Sequence, residues 1–118
     1  MRPLCTAILG CGDFANRHAE NIVAMPDRLE LVSFCDINLQ HARDFAQKYA
    51  QNAKIYTDFH PMLDEVKPDL LVICLPPFGH NDEVEAAAQR GIHLLIEKPI
   101  ALGSEQAWKM VEAAEAAD

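Results

Sequence analysis

A chain of 118 residues, half of them apolar and 24% charged, is long enough to bury one core without disulfide or metal staples. Its net charge of −8 argues against nucleic acid or an anionic membrane surface as the partner, because each would require a basic face. An anionic ligand must then be held by local N–H groups. Cys5, Cys11, Cys35 and Cys74 fall in or just after apolar runs with no Cys-x-x-Cys spacing. That pattern fits buried free thiols in a reducing compartment and no metal centre. Gly10, Gly12 and Asp13 interrupt the first apolar run too early for a signal peptide, and the longest such run, Leu70 to Leu75, is too short to span a bilayer. The expectation is a soluble, cytoplasmic protein.

The first predicted strand starts at Leu4, breaks at Gly10 and Gly12, and turns at once into a helix with Ala15, Ala19, Ile22 and Val23 as its apolar stripe. Pro26 ends that helix. Leu29 to Cys35 is a second strand closed by Asp36, and Leu39, Ala42, Phe45, Ala46 and Tyr49 mark a second helix with Asn38 as its N-cap. Lys54 to Tyr56 is a third strand. Thr57 and Asp58 can cap a third helix ending near Val66, in which Pro61 is tolerable because it lies in the first turn. Leu70 to Leu75, apolar throughout, suits a central parallel strand covered on both faces, and Pro76 and Pro77 stop it. A helix follows from Asn81 to Arg90 with Asp82 and Glu83 in its first turn and Gly91 at its C-terminal cap. Ile92 to Ile96 is a fifth strand, and Ser104 caps a last helix with Ala107, Val111 and Ala114 on its apolar side. Five strands alternating with five helices predict an α/β fold, a doubly wound parallel sheet with helices on both faces.

The turn Gly10-Cys11-Gly12-Asp13-Phe14-Ala15 has the form Gly-x-Gly-x-x-Ala between a strand and a helix, one version of the dinucleotide-binding fingerprint. The first glycine permits the tight turn, the second exposes backbone to a pyrophosphate, and the small alanine lets helix and strand pack closely. Asp13 has the wrong sign for a phosphate contact and is expected to point to solvent. Asp36 lies 21 residues beyond Ala15, where a carboxylate accepts bonds from the adenosine ribose and repels a 2′-phosphate. With Ile37 and Asn38 offering no cation, NAD is favoured over NADP; Arg43 is the residue best placed to upset that assignment. Leu75, Pro76 and His80 stand at the carboxyl end of strand four, beside the expected crevice. Glu97-Lys98-Pro99 ends strand five on the same edge.

These motifs, in this order and with Gly91-Ile92-His93 before the last of them, resemble the N-terminal domain of the Gfo/Idh/MocA oxidoreductases over essentially all 118 residues. The resemblance implies a Rossmann domain of strand order 3-2-1-4-5 and NAD(P)-dependent hydride transfer at a hydroxyl-bearing carbon of a sugar, inositol or related polyol. It implies cofactor contacts along Gly10, Cys11, Gly12, Asp13, Phe14 and Ala15, at Asp36, at Leu75, Pro76 and His80, and at Glu97 and Lys98. By position Lys98 inherits the catalytic role, its ammonium bonding the reacting oxygen and managing its proton, and the Lys98–Pro99 bond is often cis in relatives. Leu75 and Pro77 depart from the Thr and Asn that often flank the family's proline. The family also continues into a second domain that bears most of the substrate site, so residues 1–118 read as the nucleotide-binding domain alone, inactive by itself. The open edge of strand five or the last helix could then support self-association. A non-catalytic NAD-binding sensor and a methyltransferase are the alternatives, the latter opposed by Phe14 and by Glu97-Lys98-Pro99.

Overall fold

The computed structural model describes residues 2–75, 81–96 and 104–117. Elements alternate as β1 (Leu4–Leu9), α1 (Ala15–Val23), β2 (Leu29–Cys35), α2 (Leu39–Tyr49), β3 (Lys54–Tyr56), α3 (Phe59–Val66), β4 (Leu70–Ile73), α4 (Glu83–Gln89), β5 (His93–Ile96) and α5 (Ser104–Ala117). The strands form one sheet in the order β3-β2-β1-β4-β5, and every pairing is parallel. This is the strand order that the family resemblance implies, with the switch between β1 and β4.

Side chains along each strand divide between two half-cores, because successive positions of a strand face opposite sides of the sheet. Ile8, Phe34 and Val72 meet Ala15, Ala19 and Ile22 of α1 and Ala42, Phe45 and Ala46 of α2. Ala7, Leu9, Leu71 and Ile73 meet Met62 and Leu63 of α3, Val84 and Ala87 of α4, and Met110 of α5. Phe34 and Phe45 pack edge to face with centroids 5.9 Å apart. Two buried hydroxyls are satisfied within the sheet, Thr6 Oγ1 donating to Leu4 O and Ser33 Oγ to Lys54 O. The caps expected of Asn38, Asp58 and Gly91 form; that of Ser104 rests on a side chain outside those described. Asn38 accepts from Gln40 N and Asp58 from His60 N, each at 3.0 Å, and Gly91 takes φ +71° just after α4.

Some boundaries and faces differ from expectation. β4 ends at Ile73 and not Leu75, α4 is confined to Glu83–Gln89, and β5 starts at His93. Val23 is exposed, since α1 finishes there with Ile22 already facing the sheet. On α5 the inward side is Met110 with Ala113 half-buried, whereas Val111 and Ala114 face outward. Leu95 and Trp108 are also exposed.

The amino-terminal edge is tied down by Asp69. Its carboxylate accepts from both Arg2 guanidinium nitrogens at 2.6 and 3.0 Å and from Cys5 N at 2.8 Å. The bonds from Arg2, then that from Cys5, lower its pKa to about 2. A carboxyl depressed in the folded state stabilises the fold above its unfolded pKa, and that contribution is lost as pH falls through the folded value. Asp69→Asn is expected to cost about 1 kcal/mol at neutral pH, a figure already reduced for solvent screening at this partly exposed pair. The difference from wild type should shrink as pH drops from about 3.8 to about 2, as urea midpoints across that range will show.

Candidate functional site

The carboxyl ends of β1, β2 and β4 converge on the glycine turn. Gly10 N donates to Cys35 O and Cys74 N to Leu9 O, both at 2.8 Å, so the chain leaves β1 wedged between its two neighbours. Gly10 adopts φ +95°, and a Cβ there would lie 2.7 Å from the Cys74 carbonyl oxygen. Only glycine meets both demands. At Gly12, which lines the cleft, a Cβ would meet nothing within 4 Å among the described residues. Ala15 is fully buried against the sheet. Phe14 occupies the N-cap of α1 without a side-chain cap and is 79% exposed. Among the described residues, the N–H groups of Gly12, Asp13 and Phe14 have no partner. A helix N-terminus left open in this way is suited to an anion. Asp13 is exposed, as expected.

Two devices hold this turn in shape. Tyr49 Oη of α2 donates to Asn16 Oδ1 at 2.6 Å, and Asn16 donates to the Asp13 carbonyl from both its side-chain and backbone nitrogens at 3.2 Å. Just after β2, Asp36 Oδ2 accepts from Cys11 N and Oδ1 from Asn38 N, each at 2.8 Å. The Asp36 side chain is only 13% exposed, and His41 Nδ1 stands 3.8 Å from its Oδ1. Sequence spacing assigned Asp36 to a ribose; the structure adds that it anchors the loop. The second task depends on a contact 25 positions away in the chain, and no local pattern signals it.

The cleft between these elements holds about 710 Å³ and is lined by residues 9–12, 35–37, 57–59, 74–75 and 81. Its described lining includes the acids Asp36 and Asp58 and no Lys or Arg. Ile37, 93% exposed beside Asp36, offers an apolar surface at the mouth, a contribution that sequence reasoning missed along with Thr57 and Phe59. Burial, reinforced by the Asp36 charge, raises the thiol pKa of both Cys11 and Cys35, the latter to about 12. Neither is a nucleophile near neutral pH. A second hollow of about 500 Å³ lies at the opposite edge of the sheet, where Arg90 pairs with Asp64 and Arg2 with Asp69. Its charges are thus largely spent on one another.

Of the other expected site residues, Leu75 lines the cleft, while Pro76, His80, Glu97 and Lys98 lie outside the described residues, as does the Lys98–Pro99 bond. The last described residue of β5, Ile96, pairs with Ile73 at the edge that bears the cleft. Glu83, fully buried, accepts from Asn81 N at 2.7 Å and shapes the entry to α4. Among the described residues no cluster of His, Cys, Asp or Glu could hold a metal ion, and no helix is long and apolar enough to cross a membrane.

Comparison with known proteins places this geometry. The family model for the Gfo/Idh/MocA oxidoreductases, NAD-binding Rossmann fold, matches residues 4–118. D-glucoside 3-dehydrogenase of Escherichia coli is 38% identical over 112 residues, 95% of this chain and 32% of that protein. Inositol 2-dehydrogenase of Salmonella typhimurium is 27% identical over 93% of this chain and 33% of its own length. The WlbA dehydrogenase of Bordetella pertussis, solved with NADH and UDP-GlcNAcA, superposes with a TM-score of 0.90 at 30% identity, covering 98% of this chain and 35% of that one. The chain therefore spans about a third of the length of these relatives.

Proposed function

Because the chain belongs to the Gfo/Idh/MocA oxidoreductase family, whose NAD-binding Rossmann fold it matches over residues 4–118, we propose that its cleft binds NAD in preference to NADP. We read it as the cofactor half of an enzyme acting on a hydroxyl-bearing carbon of a sugar, inositol or related polyol. The observation that supports the cofactor reading best is the pairing, in the lining of one cleft, of a bare glycine turn, with N–H groups unpartnered among the described residues, and the Asp36 carboxylate beside it. The turn suits a pyrophosphate, Asp36 the ribose hydroxyls, and Ile37 the flat face of an adenine. A carboxylate with no Lys or Arg in the described lining disfavours a 2′-phosphate. Isothermal titration with NAD and NADP tests this; binding of NADP alone, or of neither, would overturn it.

The cofactor, when bound, accepts or returns a hydride. The protein's part is to orient it through the turn and Asp36, and to move the proton of the reacting hydroxyl. We assign that proton transfer to Lys98, which follows β5 by two residues. The substrate half we place in a second domain of a longer protein, so residues 1–118 alone should turn over no polyol. Absorbance at the NADH band is the check.

The Tyr49–Asn16 link gives a separable prediction. Losing one hydrogen bond of this kind is worth about 0.5–1.5 kcal/mol. Tyr49→Phe should therefore weaken ADP binding by roughly three- to tenfold, through a looser Asp13 turn. Adenosine, which lacks the phosphates, should bind the variant and wild type alike.

A further inference from the structure

We infer that His41 sets how strictly this cleft rejects a 2′-phosphorylated dinucleotide, by acting as a proton-dependent counter-charge to Asp36; the inference rests on the dinucleotide reading above. Asn38 starts α2 by accepting from Gln40 N with its side chain and from His41 N with its carbonyl, each at 3.0 Å. That first turn brings the His41 imidazole back over the end of β2, with Nδ1 3.8 Å from Asp36 Oδ1. The carboxylate is 13% exposed and the imidazole 53%. The histidine thus stands beside the acid that would meet the ribose, and is itself open to solvent.

A phosphate on the 2′-oxygen would stand beside both groups. With a neutral imidazole it faces Asp36 alone and is repelled. With His41 protonated, the pair is neutral overall and the ring offers the phosphate a charged N–H donor. Histidine is the side chain whose ordinary titration falls within the physiological range, so the local charge can change where carboxylates and lysines do not.

The charged and titratable groups on the elements packed against α2 are Glu30 and Cys35 on β2 with Asp36 just after it, Lys54 and Tyr56 on β3, and Arg17, His18 and Glu20 on α1. Among the described residues, Asp36 is the one within ion-pair distance of His41. On α2 itself, Asp44 Oδ1 already accepts from Gln40 Nε2 at 2.9 Å. Arg43, the cation that the sequence alone singles out, is two positions on from His41 and so about 200° around the helix axis, pointing away from the Asp36 carboxylate.

The test is the ratio of NADPH to NADH dissociation constants, read by nucleotide fluorescence near pH 6 and near pH 8, for wild type, His41→Gln and His41→Lys. Titration of the phosphate itself affects all three proteins equally and cancels. In wild type the ratio should fall on acidification by about tenfold more than in His41→Gln. His41→Lys should keep the low ratio at both pH values. Parallel pH dependence in wild type and His41→Gln, with NADH bound by both, would overturn the inference while leaving the dinucleotide reading intact. Failure of wild type to bind NADH at either pH would overturn both.

Discussion

Gly10→Ala is expected to destabilise the fold by about 3 kcal/mol and to abolish dinucleotide binding. Two penalties act together. An alanine at φ +95° occupies backbone space that L-residues rarely adopt, and its Cβ would approach the Cys74 carbonyl to 2.7 Å. That oxygen belongs to backbone, not to the tip of a flexible side chain, so relief requires β1 and β4 to separate where Cys74 N bonds Leu9 O. Gly12→Ala is the matched control. Its Cβ meets no atom of the described residues within 4 Å, so stability should change by less than about 1 kcal/mol while nucleotide binding is lost. Urea denaturation alongside titration separates the two, and equal stability losses would show that the turn is not divided in this way.

If Lys98 has the role proposed above, Lys98→Ala made in the longer, two-domain protein proposed there should lower kcat by about a thousandfold and leave NADH affinity within about threefold of wild type. Hydride departure from a carbinol carbon is unfavourable unless the hydroxyl proton leaves with it, and positioned proton transfer supplies rate factors of this size. Lys98→Arg should recover little, because guanidinium holds its proton too tightly to act as a base. A variant that lost affinity and kept kcat would mark Lys98 as a binding residue.

The alternation of strands and helices was readable because glycine, proline and the uniformly apolar run at Leu70 punctuate the chain where strands begin and end, while the strand order came from the family resemblance. Gly10 was legible for the same reason: a glycine that closes an apolar strand and opens a helix marks a turn too tight for a side chain. The last helix was not, because an alanine-rich segment carries little periodic contrast. A rotation of one residue exchanges Val111 and Ala114 for Met110 and Ala113. The anchoring role of Asp36 and the proximity of His41 were invisible for a different cause. Both arise from how the glycine turn, β2 and α2 meet in space, and spacing along the chain reports only the ribose position.

β1 is flanked by β2 and β4, and Ala7 and Ile8 are fully buried on opposite faces of it. Its amides can exchange with solvent deuterium only when both half-cores open together, which places them among the slowest in the chain. The glycine turn is the direct continuation of that strand. Its open N–H groups therefore hang from the least yielding part of the molecule, and a nucleotide bound there as proposed would find donors already in place and sacrifice little conformational entropy in engaging them.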